Sequence, residues 1–472
     1  MIDRREIVEL SREWGLRSDV VEKDYVLGWV LGGIFQQPEL SKSWAFKGGT
    51  CLKKCFFETY RFSEDLDFTL SEAEHLAEDF LLGAFRGVAA WVYENSGVEI
   101  PPDSMRFEVL KNPRGGLSAQ GRLSYTGPLQ RRGDLPRIKL DLTTDEVLVL
   151  EPVEREVHHP YTDRPDGGLK ARSYAFEEVF AEKLRALAER ERPRDLYDVV
   201  HLYRHEDLHP DRAMLLQTFK EKCAFKGMEL PSVESLSNAP GRAELESEWE
   251  SMLAHQLPIL PPFEQFWAEL PAILEWLYSA KERAALPTIG LGAEASSVNM
   301  AWRPPSMTTA WRLSVPMEII RFAAANRLCV NLAYQEKRRL IEPYSLRQTR
   351  QGALLLYAVK HSTGEIRAYR VDRIQDAVVT STSFKPRFAV ELTPSGPMVA
   401  PPTSRPLGGW RVSRSAGRAV RPPGDGPRYI YRCTVCGREF AHTTRESDLR
   451  KHKTLSGSTC PGRHGYYVRT VS

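Results

Sequence analysis

Two aspartates set two apart, Asp65 and Asp67, in the run Arg61-Phe62-Ser63-Glu64-Asp65-Leu66-Asp67-Phe68-Thr69 constrain this chain more than any other feature. A strand over Leu66–Leu70 would turn Leu66, Phe68 and Leu70 into a core. Because side chains alternate across a strand, Asp65 and Asp67 then share the opposite face, where together they can grip one or two divalent cations. An isolated pair of this kind is usually a solvated strand edge. Here it follows, after fourteen residues, the segment Phe46-Lys47-Gly48-Gly49-Thr50, which ends a short strand pattern at Trp44–Phe46. The glycines let backbone approach closely, and Thr50 can open a helix whose free N–H groups meet phosphate oxygens. An alternating strand at Arg137–Thr143 supplies Lys139 and a third carboxylate, Asp141. Three such carboxylates suit two-metal chemistry, in which Mg2+ (or Mn2+) acts with a nucleoside triphosphate. The metals polarise the α-phosphate, activate an attacking hydroxyl and stabilise the pyrophosphate that leaves.

At 472 residues the chain calls for two to four domains. Its net charge of +3 conceals an asymmetry. Residues 401–472 hold 14 Lys/Arg against 4 Asp/Glu, making that stretch a candidate nucleic-acid contact. The N-terminus has no secretory pattern, and the stretch Val26–Phe35 is interrupted by glycines and too short for a membrane span. A cytoplasmic protein with no membrane partner is expected.

Helical and strand patterns alternate over residues 1–285, which predicts an α+β domain. A helix is expected through Val20–Leu31, another over Tyr174–Glu191, and largely helical structure from there to Arg283. Residues 286–312 read as a linker. Residues 313–392 carry β-branched runs at Cys329–Tyr334, Ala353–Val359, Ile366–Val371 and Ala377–Thr380, the mark of a small β domain after one helix. Residues 393–427 form a second, basic linker dense in Pro, Gly and Ser, and residues 428–472 a compact terminal module.

Three of the seven cysteines fall in that last module. Cys433-Thr434-Val435-Cys436, then His452 and Cys460, match one tetrahedral structural zinc, with a zinc ribbon or knuckle as the expected fold. His442 and His464 compete with His452 for the fourth position. Four protein ligands would leave no site open for water, so this zinc would not be catalytic.

The segments FKGGTCLKKCF, RFSEDLDFT, IKLDLT, EEVFAEKLRALAER and RPRDLYDV, with VVEKDYVLGWVL near the start, resemble the AbiEii/AbiGii toxin family of nucleotidyltransferases over about residues 15–205. The resemblance implies a polymerase-β-like nucleotidyltransferase domain with a helical extension. It also implies transfer of a nucleotide from an NTP to an RNA acceptor, with tRNA 3′ ends as the acceptor class, and a cognate antitoxin. Carried over by position, it puts Lys47, Gly48, Gly49 and Thr50 at the nucleotide and Asp65, Asp67 and Asp141 on metal. It further places Lys139 beside Asp141, Glu178 and Lys183 on one helix, and Asp195 and Asp198 after it. Lys183 could reach triphosphate oxygens as a point charge, or be a solvated partner of Glu182. Asp198 could serve as a base or orient Lys183, and Asp195 could cap a helix.

A second resemblance, to the WYL domain, covers about residues 316–392 through the runs at Arg338–Leu346, Gly352–Ala358 and Ile366–Ile374. It implies a small Sm-like β-barrel that senses nucleotide or nucleic acid. The naming triplet would fall on Leu354, Leu355 and Leu356, so two of its three residues are replaced. Tyr334 and Tyr369 could stack on bases while Arg367, Arg370 and Arg373 fork to phosphate. The overall expectation is a metal-dependent nucleotidyltransferase acting as a toxin in a toxin–antitoxin or phage-defence system. The alternative is a nucleotide-sensing, nucleic-acid-binding regulator on a non-catalytic fold.

Overall fold

The computed structural model describes residues 1–57, 60–111, 116–131, 133–204, 210–232, 234–235, 241–279, 283, 285–290, 298–299, 317–392, 428–436, 438–442, 449, 452, 454, 459–461 and 465–471. The chain divides into two compact units, Met1–Thr403 and Ser404–Ser472. The linker at 393–427 lies outside the described residues, as does most of the one at 286–312.

Helix α1 (Arg4–Trp14) starts where the Asp3 side chain accepts from Glu6 N, and ends at Gly15 in the left-handed region. Helix α2 (Ser18–Phe35) outruns the expected span at both ends. Gly32 and Gly33, which interrupt the apolar run, lie inside it for a packing reason. A Cβ on Gly32 would come within 2.8 Å of Leu169, and one on Gly33 would sit 3.1 Å from Val88 and Val92. Glycine there lets α2 pack closely against its neighbours, and that burial outweighs the helix-propensity cost of about 1 kcal/mol each.

After α3 (Pro38–Ser43) come β1 (Trp44–Lys47), α4 (Gly48–Cys51), a π-helical stretch Leu52–Phe56 and β2 (Asp65–Leu70). Helix α5 (Glu78–Ser96), β3 (Arg106–Lys111), β4 (Leu117–Ser124), β5 (Arg137–Thr143), β6 (Val153–Val157) and β7 (Leu169–Ser173) follow. The seven strands make one mixed sheet in the order β3-β4-β5-β2-β1-β7-β6. Trp44, Phe46, Leu66, Phe68, Ile138, Leu140 and Phe107 are buried and point to one face, where Phe35 and Phe85 from α2 and α5 meet them. The opposite face carries the aspartates. Helices α6 (Phe176–Arg190), α7 (Pro193–Arg204) and α8 (Arg212–Lys226) complete the domain, followed by Gly241–Leu253, Phe263–Trp267 and Leu270–Tyr278.

The same unit contains a five-stranded antiparallel sheet, β11-β10-β9-β8-β12. Its strands are β8 (Leu328–Tyr334), β9 (Lys337–Gln348), β10 (Leu354–Lys360), β11 (Ile366–Arg370) and β12 (Ile374–Ser383). Helix Met317–Ala325 precedes it, and the turn after that helix is tied to α7. The Tyr197 hydroxyl donates to Asn326 Oδ1 at 3.0 Å and Arg204 Nη1 to Ala325 O at 3.1 Å. In the second unit, β13 (Arg428–Cys433), β14 (Glu439–His442) and β15 (Gly465–Val471) form a small antiparallel sheet. No helix among the described residues is long and apolar enough to cross a membrane.

Candidate active site and C-terminal metal cluster

Strand pairing assembles the carboxylate face. β2 runs parallel to β5 with Asp65 opposite Lys139 and Asp67 opposite Asp141, and antiparallel to β1 with Lys47 opposite Asp67. Cross-strand partners lie on one face, so Lys47, Asp67 and Asp141 form a row and Asp65 with Lys139 the next. Gly48 turns the chain at φ +81°, and a Cβ there would fall 2.0 Å from Asp67 Oδ2. Only glycine fits both the angle and the space. A Cβ on Gly49 would come within 2.6 Å of Arg61 Nη2. The Thr50 hydroxyl donates to the Asp65 carbonyl at 2.5 Å, which fixes the turn to the strand it serves.

The charges on this face are under mutual strain. Burial pushes the Asp67 carboxyl up to about 6, with Asp141 and Asp65 adding to the shift and Lys47 and Lys183 opposing it. Burial and the neighbouring Asp65 also raise Asp141 above the ordinary range, against Lys139 and Lys47. A divalent cation would relieve that repulsion, and the donor set is all oxygen, as Mg2+ or Mn2+ prefers. Without a Cβ at Gly48 the backbone comes up against Asp67 Oδ2 without displacing that oxygen from the face.

Beneath the face lies a charged network. Asp198 on α7 is fully buried and receives Arg61 Nε and Nη2 at 2.7 Å each, Lys183 Nζ at 2.7 Å and the Tyr60 hydroxyl. Burial alone would raise its pKa, but Arg61 and Lys183 hold it well below the usual carboxylate range. Lys183 also reaches Asp195 at 3.3 Å. Burial disfavours its ammonium, yet Asp198 and Asp195 keep its pKa above the ordinary lysine value. Asp195 is taken up by Lys183 and by Arg190 at 2.7 and 3.0 Å. Of the alternatives for Asp198, this geometry supports orientation of Lys183 and Arg61. A base needs a free lone pair and an accessible proton, and Asp198 has neither.

Glu178, expected at the nucleotide, has structural partners. Its fully buried carboxylate accepts from Val149 N and Leu150 N and pairs with Lys222 at 2.7 Å, so it pins the chain that follows β5. Sequence reasoning assigns no role to Arg61 and Tyr60. A charged Arg within the aromatic stretch Phe56-Phe57-…-Tyr60-Arg61-Phe62 is the signal available, since such a residue needs a buried anion.

In the second sheet, Tyr334 and Tyr369 meet edge to face at 5.1 Å, and the Tyr334 hydroxyl accepts from Arg370 N at 3.4 Å. Arg370 forks to Asp372, and Arg367 pairs with Glu365. Arg373 is exposed on the turn before β12. The two tyrosines thus come together, while two of the three arginines already have carboxylate partners.

The terminal unit gathers Cys433, Cys436, His452 and Cys460, with all four ligand atoms within 4.8 Å of one another. Cys433 Sγ lies 3.7 Å from Cys460 Sγ, and Cys436 Sγ lies 3.2 Å from His452 Nε2. Tetrahedral zinc would place two sulfurs about 3.8 Å apart and sulfur and nitrogen about 3.6 Å apart. Burial would raise the Cys433 thiol, but hydrogen bonds from the Cys436 and Val435 backbone help bring it down to about 6, toward the thiolate a metal binds. His464 lies outside the described residues, as does the His442 side chain. By the 4.8 Å measure this is the one such group among the described residues. Asp65, Asp67 and Asp141 share a face by strand register, Asp67 directly opposite Asp141 and Asp65 one pleat away.

A mixed sheet with three aspartates on one face, entered through a Gly-Gly turn and backed by the buried Lys183, has the form of a nucleotidyltransferase-type domain. The profile of the nucleotidyl transferase AbiEii toxin, type IV toxin–antitoxin system, matches residues 29–269, just over half of the chain, and the chain belongs to that family. The WYL domain profile matches residues 317–379. Among solved structures, MenT4, a nucleotidyltransferase toxin from Mycobacterium tuberculosis H37Rv, is 20% identical with a TM-score of 0.38, covering 59% of this chain and 88% of its own. JHP933 from Helicobacter pylori is 16% identical with a TM-score of 0.35, covering 56% and 93%. No curated protein matches.

Proposed function

We propose that the chain is a metal-dependent enzyme that transfers a nucleotide from an NTP to an RNA acceptor of the tRNA class, and so acts as the toxin of a toxin–antitoxin or phage-defence pair. The observation that carries this reading is the register that aligns Asp65, Asp67 and Asp141 on one face beside the Gly48 cradle. Asp65, Asp67 and Asp141 would hold the divalent cations. When bound, these would neutralise the triphosphate and lower the pKa of the attacking hydroxyl. Lys47 and the backbone of Gly48 and Gly49 position the phosphates. Lys183, fixed by Asp198, keeps a positive charge near Asp67 without being free to wander, which lowers the cost of organising the site during reaction. Arg61 fixes the same Asp198 from below and packs against Gly49.

The WYL-like domain would regulate this chemistry, with a nucleotide or nucleic-acid ligand near Tyr334, Arg367, Arg370 and Arg373. The Tyr197–Asn326 hydrogen bond supports a coupling route, because Tyr197 adjoins Asp198 on α7. The terminal module would hold one structural Zn2+ and, in the cytoplasm, contact nucleic acid through its basic surround. We assign residues 1–285, 313–392 and 428–472 to these three tasks.

Incubation with each labelled NTP, Mg2+ and total RNA tests the proposal. A labelled tRNA band is the expected result. Absence of label on any RNA with every NTP would overturn the acceptor assignment.

A further inference from the structure

The carboxylate face does not end at the aspartates. The row that begins with Asp65 continues through Lys139 on β5 and Arg122 on β4 to Arg106 on the edge strand β3, each directly opposite the last. All three cations are exposed, and no carboxylate pairs with any of them among the described residues. Arg106 uses one guanidinium nitrogen on the carbonyls of Asp103 and Met105, which orients its side chain. Adjacent strands lie about 4.8 Å apart, so the cations span about 10 Å in a line that starts at the metal-binding pair.

We propose that this row is a track for the sugar-phosphate backbone of the acceptor RNA, holding about three phosphates of the strand whose end enters the site. The inference rests on the RNA-acceptor reading above and extends it to a surface. Gln120, Ser118 and Ser124 share the β4 face and offer hydrogen bonds of the kind that go to phosphate and sugar. A protein partner would want an apolar centre, and on this face β3 presents only Leu110. Glu108, one row over on β3, is the opposing charge. Interactions of this kind position the strand and carry no sequence information, so the track sets reach and register while the pocket sets the nucleotide.

The test compares the full chain with Arg106→Gln/Arg122→Gln and with Glu108→Gln. Both changes are on exposed side chains, and none of the three residues belongs to the proposed catalytic set. The readouts are binding of unfractionated tRNA across a salt series, and transfer kinetics from labelled NTP. Each phosphate that is no longer neutralised should flatten the slope of log affinity against log salt by about 0.7. The double variant should therefore show a slope shallower by about 1.4 and a raised KM for RNA, with KM for NTP and kcat at saturating RNA within about twofold. Glu108→Gln should tighten binding. An unchanged slope and RNA KM in the double variant would overturn the track. If the parent chain labels no RNA at all, the acceptor reading fails by itself, and the binding slopes alone still decide the track.

Discussion

The molecule offers two candidate sets of metal ligands, and they are built on opposite plans. At the C-terminus three cysteines and a histidine close on one point, with ligand atoms within 4.8 Å, in a small unit whose buried core is Tyr431, Cys433, Leu449 and Cys460. On the large sheet three aspartates share a face, partly exposed, with cations beside and beneath them, and burial raises Asp67 and Asp141 rather than easing them. The first set would satisfy a structural zinc, which would in return stabilise a unit whose apolar core is small. In the proposed function the second would stay short of satisfaction, so that incoming phosphate oxygens complete the coordination of its metals. A site that must bind, react and release cannot also be closed.

The comparison can be broken most severely at the aspartates. Asp65→Asn with Asp67→Asn should lower nucleotide transfer by at least about 10³-fold, since the two act as one ligand pair. Thermal melting should be unchanged or slightly higher, because the substitution removes like charges that repel in the folded state. Loss of folding together with loss of activity would mean that the pair is structural. Asp198→Asn should do the reverse. It takes from buried Arg61 its carboxylate partner and leaves Lys183 with Asp195 alone, at a cost of about 3–5 kcal/mol, visible in chemical denaturation. The pH dependence has a definite sign. A carboxylate with a depressed native pKa contributes its stabilisation fully above its unfolded value near 3.9, and loses it as pH falls through the native one. The gap between parent and variant should be flat from pH 7 to 5 and should narrow below about pH 4. The smallest effect is expected from deleting residues 404–472. Binding to RNA should become less salt-dependent, by about 0.7–0.9 in slope for each phosphate the deleted stretch neutralises, while kcat at saturating RNA stays within a few-fold. An unchanged slope would assign the basic stretch to another task.

Much of this is legible in the chain, and what is not has identifiable causes. β5 falls on the expected Arg137–Thr143 because its alternation is regular, and β2 begins at Asp65, one residue before the expected Leu66. Helix α2 runs past its predicted ends because packing against Leu169, Val88 and Val92 favours its glycines, which no local rule reveals. β3 gives no clear strand signal since only Phe107 of its six residues is buried, and the long helix α5 is likewise absent from the sequence expectations. Glu178 and Lys183 sit five apart on one helix, yet one holds the chain after β5 and the other joins the Asp198 network, a split decided by Lys222 and Asp198 from other helices. Arg61 meets Asp198 across 137 positions of sequence, a distance over which spacing says nothing. The cysteine cluster, by contrast, depends on ligand identity alone, and among the described residues His452 is the histidine beside the three cysteines.

One measurement bears on the division most directly: transfer from labelled NTP to saturating RNA by Asp141→Asn and Cys433→Ser, assayed together with bound zinc. Cys433→Ser should lose about one zinc per chain and retain transfer within about threefold of the parent, whereas Asp141→Asn should keep its zinc and transfer nothing measurable. Transfer abolished along with the zinc, and preserved without the Asp141 carboxylate, would contradict the assignment of chemistry to the sheet.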